Sequence, residues 1–434
     1  MAYHPSVDRL LVTGGARLAG TVRVSGAKNS ALKLMAASLL APGVSMVRNV
    51  PRIRDSEVMA DLLRHVGIGV TLADGIATLD ATRIADVEEP DELAGQIRAS
   101  IVMLGPLLAR TGRARVALPG GDNIGARTVE LHVRGLERMG ATVLSEHGVL
   151  IADAPALRGA SITLDYPSVT ATENLLLAAV LARGTTVLDN AAREPEIADL
   201  AEFLRSMGAD LEGAGTSTIR ITGVPDLRPA EHAAIPDRIE VGTWAAAAVA
   251  TLGDVRIANA RPAHLELFLT KLADAGAEVT IDDDGLRVRQ PVRARSMDLV
   301  TLPHPGIATD FQPILLAMLA TADGTSIVTE NVFEARFLYV DELRRMGADI
   351  RTEGHHAVIR GVPRLSAAPV RALDIRAGAA MVIAALTAEG VTRIDDVHHL
   401  DRGYEDLERK LTTLGADVRR DGNPVVVPDP AETR

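Results

Sequence analysis

Six basic residues stand in short loop segments spread along the chain: Lys28 in SGAKNSA, Arg98 in IRAS, Arg127 in GGDNIGAR, Arg336 in VFEARF, Arg376 in DIRAG and Arg402 in DRGYE. The chain as a whole is acidic, with 46 Lys and Arg against 57 Asp and Glu and a formal net charge of -11. Brought together, these side chains would form a pocket for a small, strongly anionic molecule, because guanidinium and ammonium groups pair with carboxylate and phosphate oxygens. Taken singly, each also reads as a solvated surface charge.

Other chemistries are poorly supplied. The sequence has no GxxxxGK[ST], GxSxG or HExxH, so P-loop, serine-hydrolase and zinc-protease readings have no footing. With 0 cysteines, disulfides, thiolate metal sites and cysteine nucleophiles are excluded together. The neighbours His355-His356 and His398-His399 resemble metal ligands, but adjacent residues of a strand point to opposite faces. Trp244 reads as core, and Arg193-Glu194-Pro195-Glu196 as a structural charge group. No metal or cofactor is expected.

The elements that must position these residues repeat. Gly67, Gly140, Gly208, Gly276, Gly347 and Gly415 each follow a helical pattern and precede a strand-like run, as in LERMGATV, FLRSMGADL and LRRMGADI. Glycine there takes the left-handed position that ends a helix. Gly43, Gly112, Gly184, Gly253, Gly324 and Gly390 each open an alternating run such as GTTVLDN. Six copies of strand, loop, helix, strand follow, with a period of about 70 residues, longer than solenoid repeats and better suited to closed domains.

A chain of 434 residues is too long for one ordinary core, and six copies divide as three plus three. The proline-bearing connector GVPDLRPAEHAAIP from Gly223 to Pro236 sets the boundary. We expect one domain before that connector and a second after it. Aromatics are 2% of residues, so the core must be aliphatic, and with an acidic surface this argues against nucleic acid as partner. No long uncharged apolar run or signal peptide is present, so no membrane partner and a cytoplasmic location are expected.

SGAKNSALKLMAA, LPGGDNIGAR, PSVTATEN, NAAREPEI, PDRIE, TDFQP, ENVFEARF and HLDRGYE stand in the order found in the enolpyruvyl transferases, and the chain resembles that family over nearly its whole length. Lys28-Asn29 resembles the UDP-sugar branch rather than the shikimate branch, where a Lys-Ser pair is expected. The resemblance implies an α/β fold of two inside-out α/β barrels, three repeated strand-helix-strand units in each, with the active site in the cleft between the domains. It implies a first domain over 26-232, carrying a Gly-rich lid loop at 118-127, and a second over 1-25 plus 233-434, so that the strands Leu10 to Thr13 and Thr21 to Ser25 belong to the second domain. It implies phosphoenolpyruvate and UDP-N-acetylglucosamine as small-molecule substrates, no cofactor, and a chain expected to be monomeric.

Residue by residue, the resemblance places Lys28, Arg98, Arg127 and Arg402 on phosphoenolpyruvate or the tetrahedral intermediate, with Arg336 and Arg376 in the same pocket. Asp310 becomes a contact to the acceptor hydroxyl and a candidate general base, although TDFQP also fits a cap for a helix beginning at Phe311. Asp374 is a second carboxylate suited to proton relay. Asn29 and the Val332 backbone match sugar contacts, while Thr128, Val129, Glu130, Leu131, Ser168 and Val169 match the nucleotide side.

Asp122 stands where most members place a cysteine that protonates C3 of phosphoenolpyruvate. Free Asp titrates near 3.9 against about 8.5 for Cys, so acid catalysis requires burial beside the ligand's charge. An active enzyme and an inactive binding paralogue are both compatible with the exchange, and the intact basic set favours activity. Epoxide inhibitors such as fosfomycin, which alkylate the thiol, should fail. Thr128, Glu130, Thr170 and Ala308 replace the family's usual Pro, Asp, Gly and Pro. They leave open an acceptor other than UDP-N-acetylglucosamine, such as UMP, or a non-catalytic nucleotide-sugar sensor.

Overall fold

The computed structural model describes residues 8-88, 93, 95-118, 120, 124-125 and 129-422. All six repeat-closing glycines have left-handed φ between 90° and 104°, the region closed to most side chains, and each ends a helix before a strand. Those helices are Arg54–His65, Glu130–Arg138, Pro195–Ser206, Glu266–Asp274, Val340–Arg345 and Leu407–Thr413. They are amphipathic: Arg54–His65 buries Val58, Met59, Leu62 and Leu63 while Arg64 faces water.

A second helix in each repeat is not part of the sequence reading. It lies ahead of the opening glycine: Lys28–Ala37, Leu104–Thr111, Val169–Ala179, Arg238–Ala250, Phe311–Leu319 and Ile375–Thr387. Every residue of Phe311–Leu319 is buried, as is all of Ile375–Thr387 except its last residue. A helix buried on all sides shows no polar stripe, so the 3.6-residue period that betrays the outer helices is absent. These helices form the interior. Phe311–Leu319 packs on Ile375–Thr387, and Leu104–Thr111 on Val169–Ala179.

The strands wrap them. Val44–Arg48, Thr185–Asp189 and Thr325–Thr329 alternate buried and exposed residues, with one face on the helices and one in water. In four repeats this strand pairs antiparallel with the following hairpin and parallel with a short strand, as in Val187 opposite Ser161 and Val328 opposite Leu299; among the described residues Arg113–Ala117 makes an isolated parallel bridge from Arg115 to Glu88 instead, and Val391–Asp395 takes Arg9–Thr13 as its antiparallel partner. The strands form separate small sheets rather than one hydrogen-bonded barrel.

The chain divides into two compact units. One is Val24–Ile239 with Leu302–Ala308; the other runs from the described N-terminal residues to Arg23, then Glu240–Thr301, then from Thr309 to the last described residue. The sequence boundary does not anticipate that Leu302–Ala308 groups with the first of these. Strand Ala19–Arg23 pairs in parallel with Asp254–Ala258, and Arg9–Thr13 lies between Val391–Asp395 and Asp417–Asp421. In the first unit, Glu231–Ala233 returns to pair with Val44–Arg48 and closes the ring of three repeats.

Where the chain leaves and re-enters that unit, Gly26 and Pro236 meet in an antiparallel bridge, with Ala27 N–H donating to Ile235 O at 2.7 Å. A Cβ on Gly26 would lie inside the Asn49 carbonyl, so only glycine fits. Asp199 pins the returning segment, accepting from the Ser30 hydroxyl, from Ile235 N–H at 3.2 Å and from His232 Nε2 at 2.8 Å. Among the described residues no helix is long and apolar enough to cross a membrane.

Candidate active site

In the unit Val24–Ile239, predicted site residues open all three buried helices. Lys28 is the first residue of Lys28–Ala37, Arg98 begins a 3-10 turn that leads into Leu104–Thr111, and Ser168 is the N-cap of Val169–Ala179. That turn packs on both other helices. Helix N-termini present unsatisfied N–H groups and the positive end of the dipole, so the arrangement suits an anion.

Lys28 is held on both sides by acid. Its Nζ lies 3.1 Å from Asp55 Oδ2, and its N–H donates to Asp237 Oδ2 at 3.3 Å. Asn29 is half-buried and its carbonyl accepts from Lys33 Nζ at 2.7 Å. Ser168 Oγ accepts from Ala171 N–H at 3.3 Å, and Val169 is half-buried beside it. Val129 and Leu131 are half-buried, but Glu130 is exposed and its carboxylate is engaged by Arg134, which also reaches Asp165 at 3.0 Å. Glu130 thus sits in a surface ion pair. Asp122, Arg127 and Thr128 lie outside the described residues.

His132, in the helix Glu130–Arg138, is 2% exposed and joins that helix to Val169–Ala179. Burial, and secondarily Arg98, pushes its imidazole down to about 3, so it is neutral at ordinary pH. Gly105 N–H donates to Asn174 Oδ1 at 2.6 Å, which aims the Asn174 amide nitrogen at His132 Nδ1, 2.9 Å away. Nδ1 is then the acceptor, and Nε2 carries the proton toward Thr170 Oγ1 at 3.3 Å.

In the other unit, Asp310 lies between two arginines. Its Oδ1 accepts from Arg336 Nη2 at 3.3 Å and its Oδ2 from Arg376 Nε at 3.0 Å, with the two arginine side chains only 2% and 4% exposed. Although it precedes Phe311, Asp310 makes no side-chain cap bond. Asp374 takes that role at its own helix: Oδ1 accepts from Arg376 N–H at 2.7 Å and Ala377 N–H at 2.9 Å. Asp374 therefore fixes the backbone that carries Arg376.

Arg402 follows the short helix His398–Asp401 and is half-buried. The next residue, Gly403, abuts Ile375 so closely that a Cβ would press into its side chain 3.7 Å from Arg376 Nη1. Tyr404 completes the contact, its ring centroid 5.4 Å from Arg376 Cζ, within cation-π range. The structure thus gathers Asp310, Arg336, Asp374 and Arg376, with the Arg402 loop against them.

The Val332 backbone is set by Glu330, a residue the motif reading passes over. Glu330 Oε1 accepts from Val332 N–H at 2.8 Å, Phe333 N–H at 3.1 Å and the Thr301 hydroxyl at 2.8 Å, while Oε2 accepts from Thr309 Oγ1 at 2.9 Å. With its N–H taken, Val332 offers its carbonyl. His355, in the turn before the strand His356–Arg360, contacts Glu330 O, and His356 contacts Thr329 Oγ1. Trp244 is 1% exposed, with Nε1–H donating to Glu240 at 3.0 Å, as a core residue should be.

Comparison with known proteins places the chain. Residues 12–411 match the model of the EPSP synthase (3-phosphoshikimate 1-carboxyvinyltransferase) family. The UDP-N-acetylglucosamine 1-carboxyvinyltransferase of Nocardia farcinica is 54% identical over 421 residues, 96% of this chain and 99% of the relative. That of Mycolicibacterium paratuberculosis is 53% identical over 95% of this chain and 99% of its own length. Among solved structures, the enolpyruvyl transferase NikO from Streptomyces tendae superposes with a TM-score of 0.87 at 30% identity, covering 97% of this chain and 100% of that one. The family model, the full-length relatives and the shared two-domain α/β architecture agree: the chain belongs to the enolpyruvyl transferases.

Proposed function

We propose that this chain transfers the enolpyruvyl group of phosphoenolpyruvate to the 3-hydroxyl of UDP-N-acetylglucosamine and releases phosphate, the first committed step of peptidoglycan synthesis. The observation that carries the reading is the end-to-end similarity, at 52–54% identity, to proteins named for that reaction. The geometry supports it. Two separate groups of cations and helix N-termini suit a substrate pair rich in phosphate and carboxylate.

In this reaction the acceptor oxygen bonds to C2 of phosphoenolpyruvate while C3 gains a proton. The C2–O bond to phosphate then breaks and C3 gives a proton back. Asp310 takes the hydroxyl proton, and Arg336 and Arg376 hold its carboxylate in place for that transfer. Asp122 supplies the proton to C3. Lys28, Arg98, Arg127 and Arg402 bind the phosphate and carboxylate of phosphoenolpyruvate, and their worth is charge stabilisation arranged before the substrate arrives.

The test is phosphate release from phosphoenolpyruvate with UDP-N-acetylglucosamine, UMP and shikimate 3-phosphate as separate acceptors, with and without fosfomycin. Turnover with the UDP-sugar alone, unaffected by the drug, is expected. Turnover with UMP alone would assign another acceptor, and binding without phosphate release would make the protein a sensor. Asp122→Cys should convert the enzyme to a fosfomycin-sensitive form, read as time-dependent loss of activity.

A further inference from the structure

Glu173 is a buried acid that the mechanism above does not use. It lies one turn into the helix Val169–Ala179, is 0% exposed, and neither carboxylate oxygen has a hydrogen-bond partner. An ionised carboxylate left so is strongly disfavoured. The nearest cation, Lys33 Nζ, stands 3.7 Å from Glu173 Oε1, beyond a good hydrogen bond, and donates instead to the Asn29 carbonyl at 2.7 Å.

Three charged groups face Glu173. Lys33 comes from Lys28–Ala37, and Glu194 and Glu196 come from the start of Pro195–Ser206. Arg238 lies beyond them, bonded to Glu196 Oε1 at 3.0 Å. Glu196 is satisfied by that arginine, and Glu194 Oε1 accepts from His304 N–H at 3.4 Å. Three carboxylates therefore share a dry region with two cations. The excess charge is removed most easily by a proton on the acid that nothing else holds. Burial, against a partial pull from Lys33 and with help from Glu196 and Glu194, pushes Glu173 up to about 8.

We propose that Glu173 is a positioning residue for the acceptor: it keeps a proton, and while it is neutral Lys33 stays on the Asn29 carbonyl and fixes Asn29. When the proton leaves, Lys33 turns to the new carboxylate and Asn29 is released. The inference rests on the reading that Asn29 contacts the acceptor sugar.

The test compares the full-length protein with Glu173→Gln, which copies the neutral acid but cannot ionise, between pH 6 and 9.5. The KM for UDP-N-acetylglucosamine should rise roughly fivefold through pH 8 in the natural protein, the effect of losing one ordinary hydrogen bond, and stay low in the variant. A rise of the same size in both proteins overturns the proposal. Thermal unfolding gives a readout free of turnover. An acid whose value is raised from 4.5 to about 8 on folding makes the native state bind the extra proton between those values. Stability of the natural protein therefore falls relative to E173Q as pH rises from about 5 to 8, then levels. A parallel pair of curves would show that Glu173 holds no proton. At pH 9, hydrogen exchange over 27-33 should be faster in the natural protein than in E173Q, and equal rates would sever Glu173 from Asn29. Failure to bind the UDP-sugar at any pH would instead defeat the functional reading, leaving the stability and exchange results to decide on Glu173.

Discussion

Asp310 and Glu173 are carboxylates near the starts of buried helices, one in each unit, and their surroundings treat them in opposite ways. Asp310 receives a hydrogen bond from a guanidinium on each oxygen, whereas Glu173 receives none. Glu196 separates the two variables. It is 4% exposed, nearly as buried as Glu173, and burial raises it, yet Arg238 outweighs that and holds it below the usual carboxylate value. Donors within reach, more than depth, decide whether an acid in this protein stays charged. Burial without them turns an acid into a proton store.

The sharpest way to break the comparison is at Asp310. Asp310→Asn keeps the shape and removes the base, and phosphate release should fall roughly 10²- to 10⁴-fold, measured by steady-state turnover. A loss below tenfold would mean that Asp310 does no more than neutralise its arginines. Next is Arg238→Met, which strands Glu196 as an unpaired buried charge. A stability loss of about 3–5 kcal/mol is expected in urea unfolding, largely recovered in a double variant that also carries Glu196→Leu.

The pH dependence sharpens the contrast further, because His132 and Glu173 act in opposite directions. His132 is lowered from 6.5 to about 3 on folding, so the unfolded chain binds the extra proton between those values. Stability from His132 is present above pH 6.5 and is lost as pH falls toward 3, the reverse of the Glu173 limb. His132→Phe should flatten that acid limb in thermal unfolding measured from pH 4 to 7. The smallest effects belong to the caps. Ser168→Ala and Asp374→Ala should each lower stability by about 1 kcal/mol, and the latter should also weaken turnover by loosening Arg376.

Much of this was readable before any coordinates. The closing glycines announced six repeats because a left-handed residue leaves few substitutes. The motifs around Lys28, Ser168 and Asp310 fell at helix starts, where loop-like sequence turns into a buried apolar run. Other parts were hidden for physical reasons. The central helices escaped notice because a helix surrounded by core needs no polar face. The cap made by Asp374 shows only in the backbone geometry, and the tie of Glu130 to Arg134 only in a helix that places them one turn apart. In TATEN, Glu173 was simply a letter of a motif, since what matters about it is the absence of a partner.

The strand Arg9–Thr13 fills the gap between Val391–Asp395 and Asp417–Asp421, so during synthesis it must wait for partners made far later in the chain. The strands of the ring closed by Glu231–Ala233 are all made once Ala233 has emerged. That ring can assemble while the chain is still growing, whereas Arg9–Thr13 keeps both edges unpaired until Val391–Asp395 and Asp417–Asp421 follow, which makes it the stretch most exposed to mispairing in the newborn chain.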